Sequence, residues 1–75
     1  MLIAGGADVN AKNKYGKTAL IFASRGGHMS CIDMLIARGA DVNTKTNDGM
    51  TALMFASDGG HIAAVESLRS HGASE

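Results

Sequence analysis

The chain is predicted to fold as an all-α repeat solenoid: two stacked helix-turn-helix units, each with a hairpin loop, preceded by a partial half repeat at the N-terminus. Three observations lead there. Shifted by 33 residues, the first 33 positions match the next 33 at 20 places without an insertion, among them Leu2/Leu35, Gly6/Gly39, Asn10/Asn43, Gly16/Gly49, Leu20/Leu53 and His28/His61. Self-similarity at such a period marks stacked supersecondary units. A threonine, then a glycine pair, recurs at fixed offsets (Thr18 and Gly26-Gly27; Thr51 and Gly59-Gly60), where helices start and stop. Between the helical stretches lie segments rich in Asp, Asn, Thr and Gly. The expected division is 1–4, a remnant of a preceding second helix; 5–38, the first unit; 39–72, the second unit with a cap-like final helix; and 73–75, a tail.

Each element has a local cause. The hydroxyl of Thr18 or Thr51 can accept a bond from an unpaired amide of the first helical turn, which makes it a good N-cap. A short helix then runs to Arg25 or Asp58 and stops at the glycine pair, where a residue without Cβ can turn left-handed and satisfy the last carbonyls. The second helix is expected from about His28 to Arg38, with Met29, Ile32, Leu35 and Ile36 spaced along one face and Gly39 at its end. Ala40 to Gly49 lacks helical periodicity and finishes in Asp48-Gly49, so it is expected to be an extended hairpin loop. Helices of about 7 to 11 residues are unstable alone in water, so neighbouring units must hold them.

Composition sets the bounds. A 75-residue chain buries only about 60% of the surface its unfolded form exposes, so stability is expected to be marginal. With no Trp, one Tyr and two Phe, the core must come from Leu, Ile, Val, Met and Ala, and the five Met residues should make it adaptable. Seven basic residues balance seven acidic ones, which gives no net positive field to draw nucleic acid or an anionic membrane. The longest apolar run, Met34 to Ala37, is far too short to cross a bilayer. A single Cys and no signal-peptide pattern point to a reduced, cytoplasmic setting.

Leu35-Ile36-Ala37-Arg38-Gly39-Ala40-Asp41-Val42-Asn43, then Gly49-Met50-Thr51-Ala52-Leu53, then Gly60-His61, resemble the ankyrin repeat pattern in order and spacing, and residues 1–33 repeat the match. The resemblance covers nearly the whole chain. It departs from the family where Thr-Pro-Leu-His becomes Thr18-Ala19-Leu20-Ile21 and Thr51-Ala52-Leu53-Met54. The proline would have pre-set the first helical residue, and the histidine is a polar partner that the family places near the threonine. The fold is expected to survive with more apolar packing between units.

Two ends are expected to differ. In the last helix Met34, Ile36 and Ala37 are replaced at matching positions by Ser67, Arg69 and Ser70, which reads as a polar capping face. Met1-Leu2-Ile3-Ala4 matches Met34-Leu35-Ile36-Ala37, so the N-terminal face is expected to be uncapped, and Leu2 and Ile3 are candidates for self-association as a two-fold dimer. The weighed alternative is that this stub folds over the first unit.

Nothing in the chain points to catalysis. Gly16-Lys17-Thr18 has the ending of a phosphate-binding loop, but the first glycine of that motif falls at Ala11 and no buried strand leads in. His28 and His61 are repeat-equivalent, and stacked helices about 8–10 Å apart hold them too far apart to share a metal. Cys31 reads as an inert, partly buried thiol. Asp8 and Asp41 read as loop residues bonding to nearby amides rather than as acid–base groups. No cofactor, metal or small-molecule substrate is expected.

Function is expected where the two units disagree and side chains point outward. The family resemblance puts those positions at the hairpin tips and on the first helix of each unit, lining a concave groove: Lys14, Tyr15, Lys17 and Arg25 in the first unit, and Asn47, Asp48, Met50 and Asp58 in the second, flanked by Lys12 and Lys45. Residues 12–25 carry four cations and no acid, whereas Asp48 and Asp58 mark the matching stretch, so the groove is expected to be bipolar. Tyr15 adds a rigid aromatic anchor and Met50 an adaptable apolar contact. The leading expectation is a protein-binding module. The alternative is a structural or scaffold fragment that associates with itself. A third reading is substrate status, because Leu2 to Asn10 and Leu35 to Asn43 resemble segments in which ankyrin-repeat asparagines are hydroxylated by an asparaginyl oxygenase.

Overall fold

The structure, a computed structural model, describes residues 9–73. Four helices follow one another: α1 (Ala19–Gly26), α2 (Met29–Ala37), α3 (Ala52–Asp58) and α4 (Ile62–Ser70), with no strand among the described residues. The Thr18 hydroxyl accepts from the Ile21 amide and that of Thr51 from the Met54 amide, both at 3.3 Å, so each first helix starts at its threonine. At the far end of α1, Gly27 takes φ +70° and the chain closes with His28 N–H donating to the Ala23 carbonyl at 2.9 Å. The same closure recurs after α3, where the His61 amide donates to the Ala56 carbonyl.

The loop over 40–49 is less regular than a hairpin. The Asp41 carboxylate accepts from the Asn43 amide at 2.9 Å and turns the chain there. Hairpin geometry is confined to the tip, closed by Thr46 N–H to the Met50 carbonyl at 2.8 Å and by Gly49 N–H to the Thr46 carbonyl at 2.9 Å. The earlier tip is built the same way from Asn13 to Lys17. Gly16 and Gly49 occupy the left-handed position of each tip, at φ +80° and +79°.

Each pair packs within itself, α1 on α2 and α3 on α4, and the pairs stack with α1 against α3 and α2 against α4, the first-helix contact being the more extensive. The core is aliphatic: Leu20, Ile21, Ile32, Leu35, Leu53 and Leu68 are buried, with Ala23, Ala52, Ala56 and Ala64 letting the helices approach. Each of the large side chains contributes about 1.5–3 kcal/mol by leaving water. Ile21, which stands where the family places its histidine, is fully buried, so apolar packing has taken over that polar site. The described methionines are not among the buried core residues, contrary to expectation. Met29 packs at its edge, Met50 and Met54 are half-buried and Met34 is exposed, because branched and small residues fill the short helix–helix distance.

The polar replacements on α4 do not form one face. Ser67 turns back toward α2, its hydroxyl donating to the Asp33 carboxylate at 3.2 Å, and Ser70 bonds the Ser67 carbonyl at 2.7 Å. Arg69 alone of the three lines the outer side of the second pair, beside Met54, Ser57 and Val65.

Candidate interaction groove

Polar ties between the pairs fix the surface on which the candidate residues sit. The Asn47 amide N–H donates to the Tyr15 carbonyl and its side-chain Nδ2 to the Lys14 carbonyl, both at 3.0 Å, so the second tip is pinned on the first. Gly16 is buried beneath this contact, with no room for a Cβ, which would stand 2.8 Å from Asn47 Oδ1. Lower down, the His61 ring Nε2–H donates to the Arg25 carbonyl at 3.1 Å. On the loop side, the Asn10 carboxamide accepts from the Asp41 amide at 2.7 Å and donates to the Gly39 carbonyl at 3.2 Å, and Asn43 repeats the donation to Gly72.

Between tips and first helices lies a groove of about 480 Å³, lined by Lys17, Arg25, Asp48, Met50, Phe55 and Asp58 together with Gly59. Five of the eight residues expected from sequence therefore converge on one concavity: Lys17, Arg25, Asp48, Met50 and Asp58. Lys14 and Tyr15 stand at its rim, exposed on the first tip. Asn47 belongs to the same rim, with its carboxamide turned onto the first loop. Leu2, Ile3 and Asp8 lie outside the described residues.

Aromatic rings surround the lysines of the first tip. The Lys17 ammonium lies 5.8 Å from the Phe22 ring centroid and 5.9 Å from those of Tyr15 and Phe55. Lys14 Nζ lies 5.2 Å from the Tyr15 centroid. These separations fall within the range in which a ring face attracts a cation. Phe22 and Phe55 fall outside the sequence expectation because it looks only where the two units disagree, and both units carry Phe at this position. The available signal was their place on the first helix, three residues before Arg25 and Asp58.

The histidines and the cysteine lie outside the groove. The His28 ring lies over Gly26 and the His61 ring over Gly27 and Gly59. Cys31 is half-buried. Among the described residues no three His, Cys, Asp or Glu side chains converge as a metal site, and no helix is long and apolar enough to cross a membrane. The groove offers apolar Met50 and Phe55, with cations on the side of the first pair and carboxylates on the side of the second, an arrangement suited to recognition. A family model described as ankyrin repeats (3 copies) matches residues 1–75. No curated protein matches the chain.

Proposed function

We propose that this chain, which belongs to the ankyrin repeat family, is a non-catalytic binding module that grips a protein segment in the groove between its loop tips and first helices. Ankyrin repeats are in general protein–protein interaction modules. The observation that carries the finer reading is the polarity of the groove: Lys17 and Arg25 on one pair, Asp48 and Asp58 on the other, and Met50 and Phe55 between them. A segment with an apolar side chain for Met50 and Phe55 and an acidic group for the side that carries Lys14, Lys17 and Arg25 would satisfy it. Tyr15 and the Asn47 rim frame the entrance. The half-buried free thiol of Cys31 is in keeping with a reduced, intracellular setting.

Selection of displayed peptides on the intact chain tests this. Acidic and apolar residues should be enriched together, and Lys14→Glu with Lys17→Glu should weaken the selected peptides and flatten their salt dependence. Selected peptides that bind the charge-reversed chain with unchanged affinity would reject the groove as the site.

A further inference from the structure

The N-terminal side of the first pair carries a second concavity, about 350 Å³, lined by Ala19, Phe22, Ala23, His28 and Cys31. Shifted by 33 residues, these positions are Ala52, Phe55, Ala56, His61 and Ala64. That second set is the surface by which the second pair stacks on the first. Ala52, Ala56 and Ala64 are at most 1% exposed, Phe55 packs on the core and His61 bonds the Arg25 carbonyl. Phe22, by contrast, is 48% exposed. The first pair therefore presents a stacking face for which the molecule itself supplies the template.

The opposite face completes the pattern. The outer side of the second pair is lined by Leu53, Met54, Ser57, Asp58, Val65 and Arg69. These match Leu20, Ile21, Ser24, Arg25, Ile32 and Ile36, the residues of the first pair that receive the second.

We infer that the chain associates head to tail, the N-terminal face of one copy stacking on the outer face of the second pair of another. This goes beyond the groove reading and does not depend on it. In that register His28 meets the Asp58 carbonyl of the next copy as His61 meets that of Arg25, and Lys14 comes over Asn47-Asp48 as Asn47 comes over Lys14-Tyr15. The basic first pair thus lies against the acidic second pair. A two-fold pairing through the same N-terminal face would set Lys14, Lys17 and Arg25 against their own copies, which like-charge repulsion disfavours. Arg69, standing where Ile36 packs on the core, makes the junction weaker than the internal one, so association should be reversible. A heterologous contact of this kind does not close on itself.

Sedimentation velocity over a wide concentration range, with two single variants, decides it. Ala19→Arg blocks only the N-terminal face and Ser57→Arg only the outer face; Ala19 is half-buried and Ser57 exposed in the single chain, and circular dichroism confirms that both fold. The parent should grow past two chain masses with concentration and fall back in high salt. Each variant alone should lose association by about tenfold or more, while an equimolar mixture should recover a species of two chains, because each supplies the face that the other lacks. A parent that stays monomeric throughout overturns the inference. So does a plateau at two chains, or a mixture no heavier than its components. Peptide binding by Ala19→Arg and Ser57→Arg that matches the parent's, while their association is lost, would separate this inference from the groove reading, since neither residue lines the groove.

Discussion

Gly27 and Gly60 occupy matching positions with nearly the same backbone, φ +70° and +72°, yet a Cβ on Gly27 would stand 2.5 Å from the His61 ring while one on Gly60 would meet nothing within 4 Å. The contrast repeats at the tips, where Gly16 lies under Asn47 and Gly49 is open. It repeats again in the helices, where Ser24 is fully buried and Ser57 exposed. Identical residues in identical local structure thus differ in consequence because one pair is covered by a neighbour and the other is not. What a residue is worth in such an array is set as much by the interface between units as by the unit itself.

Paired substitutions can break or sharpen that comparison. The largest effect belongs to the glycines. Gly27→Ala combines left-handed strain with a clash against the His61 ring and should cost about 2–4 kcal/mol, whereas Gly60→Ala should cost only the strain, about 1–2 kcal/mol. Equal shifts in urea midpoint would show that the cover contributes nothing. Next come the histidines: His61→Ala loses a bond across the pairs and should cost about 1 kcal/mol, while His28→Ala, in the single chain, should change stability by less than about 0.5 kcal/mol.

A change of opposite sign is expected at the serines. The Ser24 hydroxyl is buried with no hydrogen-bond partner among the described residues, so Ser24→Ala should raise the melting temperature, with a gain of about 1 kcal/mol. Ser57→Ala should be neutral within about 0.5 kcal/mol. The smallest difference serves as the control. Thr18 and Thr51 cap their helices with the same 3.3 Å bond, so their alanine variants should each cost about 1 kcal/mol and differ little from each other by the same denaturation measurement.

This asymmetry also marks how far the sequence could be read. Helix starts at Thr18 and Thr51, the left-handed stops at Gly27 and Gly60, and the apolar face of α2 are written locally, in capping chemistry and 3.6-residue spacing, and they hold. The convergence of Lys17, Arg25, Asp48, Met50 and Asp58 followed from looking where the units disagree. The rest depends on contacts between residues about one period apart, to which local pattern is blind. Asn47 was read as a difference between units without its carboxamide bond to the first loop. Ser67 was read as facing outward because it replaces a methionine, although a hydroxyl at that position can reach Asp33. Phe22 and Phe55 are invisible to a comparison of differences because both units carry the same residue, although a shared residue at a groove edge can serve both packing and recognition.

The polar ties between the two pairs have a bearing on how the molecule assembles. The side-chain bonds that join distant parts of the chain, from Asn10 to Gly39 and Asp41, Asn43 to Gly72, Asn47 to Lys14, His61 to Arg25 and Ser67 to Asp33, link residues between 29 and 36 positions apart. None of them has to wait for the two ends of the chain to meet. Loop closure therefore costs about the same at every step, and the search that precedes folding is short, a property associated with fast barrier crossing. Pulled from its ends, such a chain should yield one helix pair at a time, with each rupture adding about 33 residues of contour, the repeat length already visible in its sequence.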